Sequence, residues 1–563
     1  MDREMTKPSA AERLEREQSV LRASYSEQAR LLAKGQVTGG PDDGALPELP
    51  PPAHFDGWHN GRNTAYMLSR LLEAWLYPPA TGHPDVDFAS VASRALAFLE
   101  RRQLPDGRLD LGGYYSPNEI GFATTGLAFL WKPLERVASE DFRERLKRFL
   151  QRGGEAVLAG QAYTANHRWT AASAPLAALH ALWPDERYTE KVEDYLADGI
   201  DVNSEGLWEF ERSPNYNMVA SLGLLALADA LKRPELLDPV VRNARLLLGF
   251  IQPNGECDSS FSHRQDRHAP GTRVFSFAVL RRVAQLTGDG RFTALLDQQI
   301  EEPGRIDYGF VPLLTEISAH SAALPEPQPL EGDYEAFLPQ SQIARIRRGK
   351  SALTLTADRG GHFFDTVRDR WPASRRSADW IQLVHGGITL SSIELVAAGA
   401  TAFQPLSLIQ LDDGWALDET SRGTIHTLHF RPGSPRIEIP WGLKTQARVS
   451  WEEETVSVGL KSRSDSSLAS CLNFWFRTGV SVREGSREWT LDKPGAFHDL
   501  DGGQPVEIRS GAALVTILGL PPCQHKAHFG AAGGIPGALH SHCASLSLGL
   551  RFPVDLNLAI RIG

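Results

Sequence analysis

Between about residue 62 and about residue 320 the apolar residues of this chain recur every three or four positions; from about residue 340 they alternate with polar ones or gather in β-branched and aromatic runs. That switch of period is the strongest constraint on the fold. A 3.6-residue repeat buries one face of a helix, and a two-residue repeat buries one face of a sheet. Helices are predicted over 64–77, 86–102, 120–136, 141–158, 169–182, 187–198, 217–232, 235–251, 273–287 and 291–301, with Pro, Gly, Asp or Asn at the joints. Their similar lengths and alternating short and longer joints point to stacked helical hairpins, either a toroid or a solenoid. No fixed-period repeat is present. Segment 9–35 is also helical in composition, and 36–54 reads as a Gly-, Pro- and Asp-rich linker.

The later runs, 352–357, 380–384, 388–397, 447–460, 471–476, 512–518 and 545–553, are strand-like and separated by turn residues. They predict an antiparallel β-sandwich. A chain of 563 residues exceeds one ordinary core. The expected organisation is an α+β multidomain protein: an N-terminal extension over 1–54, a helical domain over 55–325 and a sandwich over 335–563.

Hydrophobic residues make up 42% and charged residues 23%, the balance of a globular protein. A formal net charge of −10 argues against a nucleic-acid binder, whose footprint is basic. No run of about 20 apolar residues is present, so no membrane span is expected. The stretch Met1–Lys7 leads into charge with no apolar core, so no secretory leader is visible and a cytoplasmic location is expected. Cys257, Cys471, Cys523 and Cys543 form neither a CxxC pair nor a disulfide scaffold. His525, His528, His540 and His542 match no familiar metal spacing, so no cofactor is expected and neither zinc nor calcium is indicated.

Polar, aromatic-rich segments precede several of the apolar helices. Thr164-Ala165-Asn166-His167-Arg168-Trp169 packs an amide, an imidazole and a guanidinium together. Asn166 alone reads equally as a helix cap. Arg212-Ser213-Pro214-Asn215-Tyr216-Asn217 presents a phenol at a helix N-terminus, where free N–H groups and the dipole favour negative charge; the alternative is a ring packed on the wall. Ser262-His263-Arg264-Gln265-Asp266-Arg267-His268 can grip carboxylates through Arg264 and Arg267, or be a solvated loop. Tyr114, Tyr115 and Asn118 precede the helix at 120–136 and suit sugar stacking or form an ordinary loop, as does His54–Arg62. If alternate joints of a toroid face one rim, these segments converge there, and the arginines focus potential for an anionic ligand. In the second half, His362 and His385 follow strand-like runs and can be catalytic or merely hydrogen-bonded.

On Asn166-His167 followed 49 residues later by Tyr216, the chain resembles the heparinase II/III-like polysaccharide lyases, including the oligoalginate lyases. The resemblance covers about residues 60 to 560. It implies an incomplete (α/α) toroid followed by an antiparallel β-sheet domain, and β-elimination at a 4-linked uronate. Asn166 would then neutralise the substrate carboxylate. His167, His362 or Tyr216 would remove the C5 proton, and Tyr216 would protonate the leaving O4. Arg168, Arg212, Asn217, His263, Arg264 and Arg267, with Tyr114, Tyr115 and Asn118, are the expected substrate contacts. Many relatives open the second domain with a His-x-His-x-Asp-type segment. Here Gly361-His362-Phe363-Phe364-Asp365 has one His and no match to a metal pattern.

The implied partner is an anionic uronate-containing oligo- or polysaccharide; a homodimer is compatible with this reading. A glycoside hydrolase would need two carboxylic acids, with Glu119, Glu209, Glu211 and Asp266 available, and a non-catalytic carbohydrate-binding protein is the third reading.

Overall fold

The computed structural model describes residues 9–49, 59–82, 85–111, 114–209, 212–264, 266–272, 275–302, 304, 306–357, 380–397, 401–403, 405–426, 438–464, 469–525 and 542–563. Over these residues the chain forms two compact units. The first draws on Met1–Val202, Asn215–Arg245 and Phe275–Leu330; the second draws on Asn203–Pro214, Leu246–Val274 and Glu331–Gly563.

The described helices are α1 (Ala10–Gly35), α2 (Gly61–Leu76), α3 (Phe88–Arg102), α4 (Pro117–Leu134), α5 (Glu140–Ala159), α6 (Ala174–Leu182), α7 (Glu186–Ala197), α8 (Pro214–Leu231), α9 (Asp238–Gly249), α10 (Phe277–Thr287), α11 (Gly290–Glu301) and α12 (Leu313–Ala319). A π-helical stretch, His167–Ser173, leads directly into α6. Consecutive helices pair as hairpins (α2 with α3, α4 with α5, α6 with α7, α10 with α11), while α2 packs on α4 and α4 on α6. This is the incomplete (α/α) toroid. Its outer helices are amphipathic: α5 buries Phe142, Leu146, Phe149 and Leu150, at helical spacing, and leaves charge outside. No described helix is long and apolar enough to cross a membrane.

The helices match the sequence-predicted segments, with three corrections. α4 and α8 begin at Pro117 and Pro214, so Asn118, Tyr216 and Asn217 lie in first helical turns rather than in preceding loops. Proline is favoured there, because its missing N–H has no intrahelical partner at that position. Tyr114 and Tyr115 belong to a short strand, Tyr114–Ser116, paired antiparallel with Leu109–Leu111. The short α12 lies outside every predicted segment. Its N-terminus is held by Glu73 of α2, whose carboxylate accepts from Leu314 N (3.0 Å), Thr315 N (2.9 Å) and Thr315 Oγ1 (2.8 Å).

The second unit holds two large sheets. In one, nine strands run in the order Arg487–Leu491, Val480–Glu484, Val506–Ser510, Ala513–Leu518, Val554–Ile562, Thr455–Ser464, Glu438–Glu452, Gly414–His426 and Ser407–Leu411. In the other, eight follow one another from Phe497–Asp499 to Tyr334–Leu338, and Thr401–Ala402 pairs with Ile388–Ala397. The paired strands are antiparallel, save Phe497–Asp499 against Cys543–Arg551. Leu353, Leu383, Ile393 and Phe474 from one sheet share a single core with Val458, Ile508, Ile517 and Ile560 from the other, which makes the unit a β-sandwich. The predicted run 447–460 proves to be a hairpin. Its turn, Glu453-Glu454, has Glu453 at φ 45° and carries no Gly or Asn to announce it.

Two glycines let the inner helices touch backbone to backbone. A Cβ on Gly121 of α4 would stand 1.7 Å from Ala171 O, and one on Gly223 of α8 would stand 2.4 Å from Thr170 Oγ1. Gly121→Ala and Gly223→Ala should therefore each destabilise the helical unit by about 2–3 kcal/mol through overpacking. Gly304→Ala, whose added Cβ meets nothing within 4 Å, should stay within about 0.5 kcal/mol. Urea unfolding followed by helical circular dichroism measures all three; equal stability of the four proteins would contradict the close approach.

Candidate functional site

The helical unit gathers the starts of its inner helices. Gly121 and Ala171 are each the fifth residue of their segments, α4 and the π-helical stretch, and they touch. Both segments therefore begin within about one and a half turns of this contact. Thr170 Oγ1 donates to Val219 O, six residues into α8, at 2.7 Å, so α8 begins near that contact as well. Arg62, in the first turn of α2, pairs with Glu119, in the first turn of α4, at 2.9 Å. Four helix N-termini thus share one rim, and their free N–H groups and dipoles favour negative charge there.

Asn166 and His167 open the third of these segments. Asn166 is helical (φ −63°, ψ −39°) and its side chain makes no capping bond. Its Oδ1 instead accepts from Thr164 Oγ1 at 2.5 Å, and the residue is 3% exposed. The structure thus decides against the helix-cap reading. With Oδ1 held, the Nδ2 donors are the part of the amide left to offer. The half-buried His167 ring meets Phe122 of α4 edge to face, with centroids 5.7 Å apart. The π-helical turn shifts ladder bonds to i→i+5, and such turns occur frequently at functional sites. The carbonyl of Thr170 accepts from Thr125 Oγ1 of α4 at 3.3 Å, so one residue is bonded to both neighbouring helices.

Tyr216 and Asn217 lie in the first turn of α8, on the same rim. Asn217 is 1% exposed, and among the described residues neither its Oδ1 nor its Nδ2 has a hydrogen-bond partner. On the π-helical stretch, Trp169 Nε1 and Ser173 Oγ are also buried without a hydrogen-bond partner among the described residues. Buried polar groups are nearly always satisfied, so the Asn217 amide marks a place where water or a polar ligand belongs. Asn118 follows the cap Ser116, whose Oγ accepts from Asn118 N at 3.0 Å. Burial raises the Glu119 carboxyl above its ordinary range, and the Arg62 guanidinium offsets part of that rise.

Arg168 is engaged elsewhere, over the Trp169 ring and within 3.8 Å of Asp198. The Arg62–Glu119 pair and Thr170 carry no signal in the sequence. Arg62 stands at the end of one polar segment, but nothing local shows its partner across two helices.

The remaining predicted contacts belong to the second unit. There Arg212 Nη1 donates to Ser341 O at 3.0 Å, and Asn203 Nδ2 donates to Ser341 Oγ at 2.9 Å. Glu205 accepts from Gln340 N (2.9 Å) and Ser341 N (2.8 Å). Arg212 is thus committed in part to holding its own segment in place. Around Asp266 the segment read as a carboxylate grip or a solvated loop is a hydrogen-bonded knot: the Asp266 carboxylate accepts from Ser213 Oγ (2.7 Å) and Ser262 Oγ (2.5 Å). Arg267 Nε donates to Ser260 O at 3.2 Å. The wholly buried His268 sits at φ 55°, with Nδ1 3.2 Å from Gln382 Nε2. His263 and Arg264 are partly buried in the same knot. His385 Nδ1 stands 2.9 Å from Ser351 Oγ. His362 lies outside the described residues, as do His54, Glu211, His528, His540 and the side chain of Tyr114. Among the described residues the rim holds no trio of metal-ligating side chains within mutual reach.

No protein-family model matches the sequence, and no curated protein matches it. Solved structures do match the fold. Heparinase III superposes with a TM-score of 0.51 at 12% identity, covering 100% of this chain and 86% of that one. The chondroitin AC lyase of Streptomyces coelicolor A3, in complex with chondroitin sulphate, gives 0.52 at 12% identity, covering 100% and 80%. The chain has the helical-toroid and β-sandwich fold of these polysaccharide lyases.

Proposed function

We propose that the chain is a polysaccharide or oligosaccharide lyase that cleaves 4-linked uronic-acid glycans by β-elimination, leaving 4,5-unsaturated uronate ends. One observation carries the reading: the amide and imidazole of Asn166-His167 and the phenol of Tyr216 open adjacent helices whose first turns share a rim. The chondroitin AC lyase of like fold binds chondroitin sulphate, which supports a glycan of that class as substrate.

The chemistry follows from what each group can do. The C5 proton of a uronate is weakly acidic because the adjacent carboxylate is already negative. Asn166 Nδ2 donates to that carboxylate, and the helix N-termini add positive potential, so the charge that develops on proton loss is stabilised. His167 takes the C5 proton, with Tyr216 or His362 as the other candidate bases. The C5–H electron pair forms the C4=C5 bond, the C4–O4 bond breaks, and Tyr216 returns a proton to O4. Where C5–H and O4 lie on one face of the sugar, Tyr216 can serve both steps. The unsatisfied amide of Asn217, beside Tyr216, supports a further polar contact to the sugar.

A hydrolase would need two free carboxylic acids facing one bond. The described candidates are engaged: Glu119 by Arg62, Asp266 by Ser213 and Ser262, and Glu209 by Asn203 and Gln340. That favours elimination.

Incubation with uronate polymers and their oligomers should produce the ultraviolet absorbance of an unsaturated uronate. Reducing ends formed without that absorbance would replace the lyase reading with a hydrolase, and binding without turnover would replace it with a carbohydrate-binding protein. Tyr216→Phe should lower kcat by about 10²–10⁴-fold, the usual worth of a general acid or base, with helical circular dichroism unchanged; full activity would remove Tyr216 from the mechanism. Asn166→Ala should cost about 10²–10³-fold in kcat, the worth of one donor at developing charge. A change confined to KM would assign Asn166 to ground-state binding instead.

A further inference from the structure

Far along α8 from Tyr216, Asp229 meets Glu316 and His320 at the end of α12, and the ligand atoms of the three all lie within 4.8 Å of one another. His320 Nε2 stands 2.9 Å from Asp229 Oδ2 and 3.8 Å from Glu316 Oε1. Glu316 and His320 are four residues apart, one turn of the same helical face. A second, independent feature singles the cluster out. The Glu316 side chain is only 10% exposed, and its Oε1 accepts no hydrogen bond from the described residues. A buried carboxylate oxygen without a donor is costly unless it is neutralised or faces a cation.

We infer that Asp229, Glu316 and His320 form a binding site for one divalent transition-metal cation, best matched by zinc. One imidazole nitrogen and two carboxylate oxygens are a zinc donor set, and three protein ligands leave a fourth position for water. The imidazole argues against calcium and magnesium, which take oxygen ligands. Ligand atoms of a tetrahedral zinc with bonds near 2.0–2.1 Å are about 3.3 Å apart. The two separations from His320, 2.9 and 3.8 Å, bracket that value, and all three ligand atoms lie within 4.8 Å of one another, so side-chain adjustments can complete the site.

The surroundings fit a metal site. Arg282 Nη2 donates to Asp229 Oδ1 at 3.0 Å, which fixes the oxygen that does not face His320 and leaves Oδ2 to the metal. Its Nε lies 3.8 Å from Glu316 Oε1. Two carboxylates against one guanidinium leave a negative remainder for the cation. The backbone oxygen of His320 accepts from Arg281 Nη1 and, at 3.0 Å, from Gln285 Nε2, so the end of α12 is already positioned. Asp229 and His320 are 25% and 28% exposed, enough for an ion to enter. Bound there, the cation would tie α8 to α12, whose other end Glu73 ties to α2.

The test uses the full chain, freed of metal with a chelator and dialysed, then titrated with zinc by calorimetry and followed by thermal unfolding. One zinc per chain is expected, with a rise in Tm. His320→Ala and Asp229→Asn should each weaken zinc binding by more than the roughly 10–100-fold that loss of an outer-sphere partner costs, and should abolish the Tm rise. Asp229→Asn keeps the size of the side chain, so it reads affinity even if His320→Ala fails to fold. No uptake by the parent chain, or parent-like affinity in the folded variants, overturns the site. Neither outcome depends on lyase activity.

Discussion

The rim depends on how closely three helices approach at Thr170. Its hydroxyl donates to Val219 O of α8 and its carbonyl accepts from Thr125 Oγ1 of α4. The second bond is buried and the first part-buried, and a lost partner there leaves a costly unsatisfied group. They form only because Gly121 and Gly223 carry no Cβ, which lets backbone meet backbone on either side of the π-helical stretch. The π-helical turn is the other half of the arrangement. Its i→i+5 pattern loosens the local ladder, and Thr125 supplies a donor to Thr170 O within it. The position of His167 therefore follows from contacts three and four residues beyond it, not from the polar residues around it.

That geometry makes the electrostatics local. A chain with a net charge of −10 would repel an anionic glycan over long distances. Within a Debye length of about 8–10 Å, the four helix starts and the Asn166 amide dominate instead. The Arg62–Glu119 pair is close to neutral as a unit, so it adds little attraction; it serves to hold α2 and α4 at one level. The acidic whole and the anion-favouring rim do not conflict, because they act over different distances.

The toroid and sandwich are legible in the sequence because long apolar periods are set by burial, and burial is what both units maximise. Sequence and structure part where tertiary contacts override local pattern. Pro117 and Pro214 read as loop residues, yet each starts a helix and draws Asn118 and Tyr216 into it. Glu453-Glu454 turns a hairpin without turn residues because the register on either side fixes it. The seven residues of α12 are too few to show a period, and the helix stands because Glu73 caps it from α2. At the site, the sequence shows the residue types but not their partners. Asn166 is ambiguous between cap and donor until Thr164 is seen on its Oδ1. Asp229, Glu316 and His320 come from one helix end and a separate short helix, so no spacing rule could join them.

The two ends of α8 do different work, and the division is physically reasonable. Its first turn carries Tyr216 beside Asn217, whose buried amide has no hydrogen-bond partner among the described residues, a costly arrangement that stability alone would not retain. Such a turn must be held by the rest of the helix. The far end supplies that hold through Asp229, which bonds Arg282 of α10 and His320 at the end of α12. Since α12 is in turn capped from α2, the ends of the helical series are linked through one short helix. Polar contacts at α12 fix the far end of α8, well away from the groups whose freedom to meet a sugar must be kept.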